Sequence, residues 1–486
     1  MGVHDVFDTD PVLRAAESGA FAQAVDLAAS GVAEADDPAR RRTLITAVTA
    51  AAVRAAWSAR WPESARLVGL AEELVAASDG GHSASDAVDL AGVAALVEWH
   101  TWAGDERCRA LVVLLEEPRR RNLLGAEHAL ALACLGSIRH GQGDFVEAAA
   151  LLGRAAALAR AERPVVAALA DAETALIRLR EGRVEDALRL GIGLAEDGPY
   201  LGGVKDAVLA SIHAIRGEVN PAVRALLRVE TAAAERPSEQ PLLRSAVVLH
   251  TRLVLAIVRN DWAELVRIMD DFVEPGFRPH LRDDEWWGLR ILGVWHLGRL
   301  AEMKRLLETA ADARVAPDDP YLLAFGAVHA LEAGAPDRAL DGIRRAAAAA
   351  GPDLDPLGRS WILIVAGEYE SRFGEYDGDP IEGLAEFERA RAELEALGAV
   401  GFLGHLDRVI AATAEQIAVA RREHPLALLT PAQRPVVKLV AEGYTSAEIA
   451  ARLHLSRKTV DFHVGNIVAR LGVKNRREIR RVLGAA

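Results

Sequence analysis

The stretch 143–152 reads GDFVEAAALL, and close variants of it return as GAFAQAVDL at 19–27, GRVEDALRL at 182–190, GEVNPAVRALL at 217–227, NDWAELVRIM at 260–269, GRLAEMKRLL at 298–307 and GAPDRALDGI at 334–343. Each variant opens on a small or polar turn residue and continues as an amphipathic helix. Ala148, Leu151, Leu152 and Ala155 fall at i, i+3, i+4 and i+7, which is one buried helical stripe. The turn residue recurs at Gly19, Ala59, Gly104, Gly143, Gly182, Gly217, Asn260, Gly298, Gly334 and Gly374, at intervals between 35 and 45 residues. Gly and Asn suit such a position because they accept the left-handed backbone that ends a helix. Five units carry Ala five residues beyond the turn (Ala24, Ala148, Ala187, Ala222 and Ala339), where a small side chain lets two helices approach closely. Two helices per unit at this period predict an α-solenoid.

The units resemble degenerate tetratricopeptide repeats, although they are longer and lack that family's full consensus. The array is expected to span residues 1–423 and to offer a concave surface for an effector peptide, a small ligand or a protein. The aromatic cluster Trp286, Trp287, Trp295 with His296 is the sequence's candidate for an effector pocket, against the plainer reading that these rings pack between helices.

Charge separates the chain into two parts. Its formal net charge is −13 over 486 residues. From Pro425 to Ala486 there are 3 Lys and 8 Arg against 4 Asp and Glu, a net +7. The preceding residues carry 46 basic against 66 acidic groups, a net −20. A basic module on an acidic body is the footprint expected where only the C-terminal end meets nucleic acid. No uncharged apolar run reaches the roughly 18 residues of a membrane span, and the first ten residues show no basic-then-apolar signal pattern. Cys108 and Cys134 have neither metal nor redox spacing. These features predict a cytoplasmic protein away from membranes, with no metal and no cofactor.

The C-terminal segment reads LTPAQRPVVKLVAEGYTSAEIAARLHLSRKTVDFHVGNIVARLGVKNRREIRRVL. Thr430 with Gln433, and Thr445 with Glu448, form capping pairs, and Ser456 caps a third helix that stops at Gly472. A short fourth helix is expected from about Asn475. Val460, Val464, Ile467, Val468 and Leu471 share the inward face of the third helix. The opposite face then presents Lys458, Asp461, Phe462 and Gly465 to the bases. Ser456, Arg457, Thr459, His463, Asn466, Arg470, Lys474, Arg476 and Arg477 lie where phosphates would. Asp461 could accept from cytosine N4, a contact worth about 1–3 kcal/mol of discrimination when well placed; the alternative is that Asp461 only repels DNA and Phe462 contacts a thymine methyl group.

This pattern, with its LTP, EIAARL, S-x-K-T-V, H-x-x-N-I and LGV blocks at fixed spacing, resembles the LuxR-type helix-turn-helix output domain. Asp461 and Gly465 stand where many members carry Lys or Arg. The resemblance implies that the third helix reads double-stranded DNA and that the fourth contributes to a homodimer contact through Ile479, Val482 and Leu483. The expected layout is therefore an all-α chain: a solenoid over 1–423, a linker at 424–429 and the helix-turn-helix module over 430–486. Repeats followed by such a module also resemble the end of the large ATP-binding LuxR-type regulators. No Walker A sequence is present, however, and neither a receiver pattern nor a hydrolase, metalloprotease or CxxC motif appears. With no catalytic residues in view, the expectation is a DNA-binding regulator controlled by an effector; the alternative is a helical-repeat adaptor whose C-terminal module touches proteins.

Overall fold

The structure is a computed structural model, and it describes residues 10–35, 37–78, 84–101, 104–121, 123–195, 201–235, 242–271, 283–312, 319–333, 335–349, 356–372 and 379–484. Among the described residues there are α-helices and short 3₁₀ turns and no β-strand. The chain divides into two compact units, one of residues 1–286 with 397–401, the other of residues 287–396 with 402–486.

The first unit is built from successive helix pairs: α1 (Pro11–Glu17) with α2 (Phe21–Ala33), α3 (Pro38–Trp57) with α4 (Trp61–Ala76), and α5 (Ala84–Thr101) with α6 (Glu106–Arg120). Then follow α7 (Ala129–Gly141) with α8 (Phe145–Ala159), α9 (Pro164–Arg180) with α10 (Val184–Gly193), α11 (Val204–Ile215) with α12 (Val219–Glu235), and α13 (Leu242–Val258) with α14 (Trp262–Asp271). Local chemistry sets several of the starts. Asp10 Oδ1 accepts from the Val12 and Leu13 N–H groups, and Asp144 Oδ1 accepts from the Glu147 N–H at 3.0 Å. Pro11, Pro38 and Pro164 occupy the first helical position, where their missing N–H costs nothing.

The turns between partners are where the sequence period placed them. Gly19, Ala59, Gly104, Gly143, Gly182, Gly217, Asn260 and Gly298 all have positive φ; Gly334 and Gly374 lie outside the described residues. Ala24, Ala148, Ala187, Ala222 and Ala339 are fully buried, as expected of residues that let neighbouring helices close in. An apolar core runs without interruption from Val12 to Ile177. The first unit is thus a run of tetratricopeptide-like helix pairs.

The second unit holds most of α15 (Asp283–His296), then α16 (Leu300–Asp312), α17 (Pro320–Glu332), α18 (Pro336–Ala349), α19 (Pro356–Arg372), α20 (Pro380–Ala396) and α21 (Leu403–Glu423). The α19–α20 pair packs backbone to backbone: a Cβ added to Gly383 would lie 2.8 Å from the Gly367 carbonyl oxygen. The C-terminal helices α22 (Gln433–Ala441), α23 (Ser446–Leu453), α24 (Arg457–Leu471) and α25 (Arg476–Gly484) complete this unit.

Of the aromatic cluster, Trp295 is buried in its unit and its ring packs 4.9 Å from that of His296; the side chains of Trp286 and Trp287 lie outside the described residues.

Candidate nucleic-acid interface

The C-terminal module takes its shape from its caps. Gln433 Oε1 accepts from the Thr430 N–H at 3.1 Å, closing the turn into α22. Helix α23 begins with a reciprocal capping box: the Thr445 hydroxyl oxygen accepts from the Glu448 N–H, and Glu448 Oε2 accepts from the Thr445 N–H at 2.7 Å. Those bonds to Thr445 hold the Glu448 carboxyl below its ordinary range. His454 then turns the chain in the left-handed conformation (φ 54°), and Ser456 Oγ accepts from the Thr459 N–H at 3.0 Å to start α24. Gly472, also left-handed, stops α24, and Asn475 Oδ1 accepts from the Arg477 and Glu478 N–H groups to start α25.

A small core holds the four helices: Leu429, Val436, Val437, Val440, Ile449, Ala450, Val460, Ile467, Leu471 and Ile479 are buried, with Val464 and Val468 packed against them. Turning that stripe inward leaves Lys458, Asp461, Phe462 and Gly465 exposed on the opposite side of α24. Phe462 is 65% exposed, conspicuous for a large aromatic. Asp461 is 3.8 Å from Arg457, which partly offsets its charge, and a Cβ at Gly465 would meet open space. Arg457, Lys474 and Arg477 are exposed, Ser456 is exposed at the start of the helix, and Thr459, His463 and Asn466 are half-buried on its flanks.

Three residues have other employment than the sequence suggested. Arg470 is paired with Asp379 and also donates from Nη1 to the Leu428 carbonyl at 3.2 Å, while the Arg421 Nε donates to the Arg470 carbonyl at 3.0 Å. Only 17% of its side chain is exposed, so it is a structural pin rather than a free cation for phosphate. Arg476 donates to the Tyr444 carbonyl and, at 2.9 Å, to Ser446 Oγ, tying α25 to the start of α23. Ile479 is fully buried in the core of its own module, which leaves it no surface to give to a second copy; Val482 and Leu483 remain half-buried. The segment expected as a linker is a 3₁₀ turn, Pro425–Leu428, with Pro425, Leu428 and Leu429 buried. Arg434 Nε donates to the Leu429 carbonyl at 3.1 Å. Sequence reading missed Asp379 and Arg421 altogether. They lie 91 and 49 residues before Arg470, on elements whose local pattern carries no sign of the C-terminal module.

Residues 427–483 match the family described as GerE: Bacterial regulatory proteins, luxR family. They form a LuxR-type helix-turn-helix domain. The chain is similar over 52 residues, at 44% identity, to the probable transcriptional regulatory protein SgaR of Hyphomicrobium methylovorum, covering 11% of this chain and 25% of that protein. It is 39% identical over 57 residues to the DNA-binding transcriptional activator DevR/DosR of Mycobacterium tuberculosis, covering 12% of this chain and 26% of the other. A third relative, the putative HTH-type transcriptional regulator Rv0890c of Mycobacterium tuberculosis, is 46% identical over 48 residues, which are 10% of this chain and 5% of that one. The chain thus spans a quarter or less of the length of the first curated relatives it matches. Among solved structures, yeast Tom70 aligns at 12% identity and a TM-score of 0.30 over 87% of this chain and 97% of the other. The APC/C hetero-tetramer Cut9-Hcn1 aligns at 13% identity and a TM-score of 0.30 over 97% and 95%. No described helix is long and apolar enough to cross a membrane.

Proposed function

We propose that this chain is a transcription regulator that binds double-stranded DNA through its LuxR-type domain, as a homodimer in the cytoplasm, under the control of an effector held by the repeat region. The observation that carries the reading is the solvent face of α24: on a capped, well-packed helix of this family, Lys458, Asp461, Phe462 and Gly465 stand free of protein contacts that would bury them. In this reading those four meet base edges. Arg457, Lys474 and Arg477 supply the charge for phosphates, assisted by Ser456, Thr459, His463 and Asn466. Val482 and Leu483 are the remaining dimer candidates on α25.

The route from repeats to DNA is short. Asp379, at the start of α20, and Arg421, in α21, both grip Arg470 on the recognition helix, so displacement of either repeat helix moves α24 directly. The repeat region then acts by setting the position of α24 rather than through a flexible tether.

The test is recovery of genomic DNA fragments by the purified full-length protein, in parallel with a Lys458→Ala/Arg477→Ala double variant. A two-fold-symmetric motif enriched by the parent and lost in the variant establishes sequence-specific binding. Equal recovery by both, or none, rejects it. That negative result would favour the adaptor reading, for which the exposed Phe462 ring is the specific supporting feature.

A further inference from the structure

In the first unit, α3, α5, α7 and α9 are the leading helices of four consecutive pairs, each touching the next, and α13 comes round to meet α3. Between them lies a cleft of about 70 Å³ that opens to solvent at its mouth. That leaves room for a small molecule and none for a folded partner. Its walls are mostly apolar, with Trp57 from α3, Leu96 from α5, Leu169 from α9 and Leu243 from α13 facing the space.

Three polar side chains line the same cleft: His100, Ser137 and Glu173. They are built in rather than scattered. Glu173 is 5% exposed; Ser137 Oγ donates to its Oε2 at 2.5 Å, and His140 Nδ1 lies 3.0 Å from its Oε1. His100, 4% exposed, stacks on Trp61 with ring centroids 4.0 Å apart. An acidic side chain in an apolar, water-poor wall creates a strong local field, because the interior screens charge weakly. Burial pushes the Cys134 thiol, also in the cleft wall, up, and Asp89 and Glu173 push it further.

We propose that this cleft binds a small amphipathic amine, its ammonium head against Glu173 and its hydrocarbon body along Trp57, Leu96, Leu169 and Leu243. An acidic head group would be placed against Glu173 at close range and repelled. The assignment rests on reading the repeat region as an effector-binding part. It concerns ligand binding alone, and it stands or falls without reference to DNA.

The experiment uses the full-length protein without DNA and the fluorescent probe N-phenyl-1-naphthylamine, displaced by octylamine, octanol or octanoate. The expected result is displacement by octylamine at a concentration at least tenfold below octanol, with octanoate weakest. Glu173→Gln is expected to remove the advantage of the amine, and Leu169→Trp, which fills the cleft from a half-buried position, to abolish displacement by all three. Octanoate matching octylamine, no displacement at all, or displacement untouched by Leu169→Trp each overturns the proposal. Should Glu173→Gln lose its helical signal and melting transition, the order of the three ligands on the parent and the Leu169→Trp variant still decide. Measuring DNA affinity separately, with and without octylamine, keeps the two readings apart: an amine site that leaves DNA binding unchanged refutes effector control but not the cleft.

Discussion

The helix pairs and the LuxR-type domain are both made of short amphipathic helices, yet they are held together differently. In the pairs, fully buried alanines such as Ala24, Ala148 and Ala187 bring helices into close contact, and left-handed residues such as Gly143 and Gly182 close the turns. The interactions repeat, and each pair leans on its neighbours. The C-terminal module has about sixty residues and one small core, and it adds polar pins: Arg476 to Tyr444 and Ser446, Arg434 to Leu429, and Arg470 to Asp379 and Leu428. A small domain buries too little apolar surface to rely on packing alone. The consequence is that basic residues in this module divide into structural and exposed sets, which their sequence positions do not distinguish.

The sharpest break of the comparison is expected at Ile479. Truncation to Ala removes a fully buried side chain from the small core, at a cost of about 2–5 kcal/mol. Urea unfolding of the full chain followed by limited proteolysis should show the C-terminal module opening first. A variant that keeps the module protected but is monomeric would return Ile479 to a dimer role.

Arg470→Ala comes next. It leaves Asp379 mostly buried without its guanidinium, and loss of one partner from a buried pair costs about 3 kcal/mol. The melting temperature should fall, whereas the slope of log K against log salt for DNA should stay as it is. Lys474→Ala is the converse variant: nearly neutral for stability, it should make that slope shallower by about 2 for a dimer that loses one phosphate contact per protomer. An equal change of slope in both variants would erase the distinction between pins and exposed cations. For the parent, three exposed cations per protomer (Arg457, Lys474 and Arg477) lead to a slope of about −5.

The smallest effect lies in the repeat turns. Ala59 sits at φ 55°, a conformation that costs a residue with a Cβ roughly 1–2 kcal/mol. Ala59→Gly should therefore raise stability by up to about 1 kcal/mol once the extra freedom of the unfolded glycine is offset. Asn260→Gly should gain less, because Asn260 Oδ1 accepts from the Trp262 indole N–H at 3.0 Å. Thermal unfolding of the two variants side by side tests the order.

Much of the fold was legible along the chain. The turn positions, the helix pairs, the Thr445 and Ser456 caps and the inward stripe of α24 are local properties, set by backbone conformation and by the 3.6-residue period. The outward face of α24 follows from the inward one by elimination. What misled was the assumption that a basic or apolar residue near the interface is available to a partner. Arg470 and Arg476 look like Arg477 in sequence, and Ile479 falls on a helix only nine residues long whose neighbours the period does not identify.

The sequence by itself determined where helices begin, turn and end, which side of each is apolar, and that a basic helix-turn-helix closes an acidic array of repeats. Those are short-range matters, decided by caps, left-handed turn residues and side-chain spacing within one helix. Only the tertiary structure decided that Asp379 and Arg421 hold the recognition helix, that Ile479 belongs to the core, and that Glu173 faces an apolar cleft shared by α3, α5, α7, α9 and α13. Each of these joins residues far apart in the chain. Such contacts depend on how whole helices pack, which no local pattern encodes.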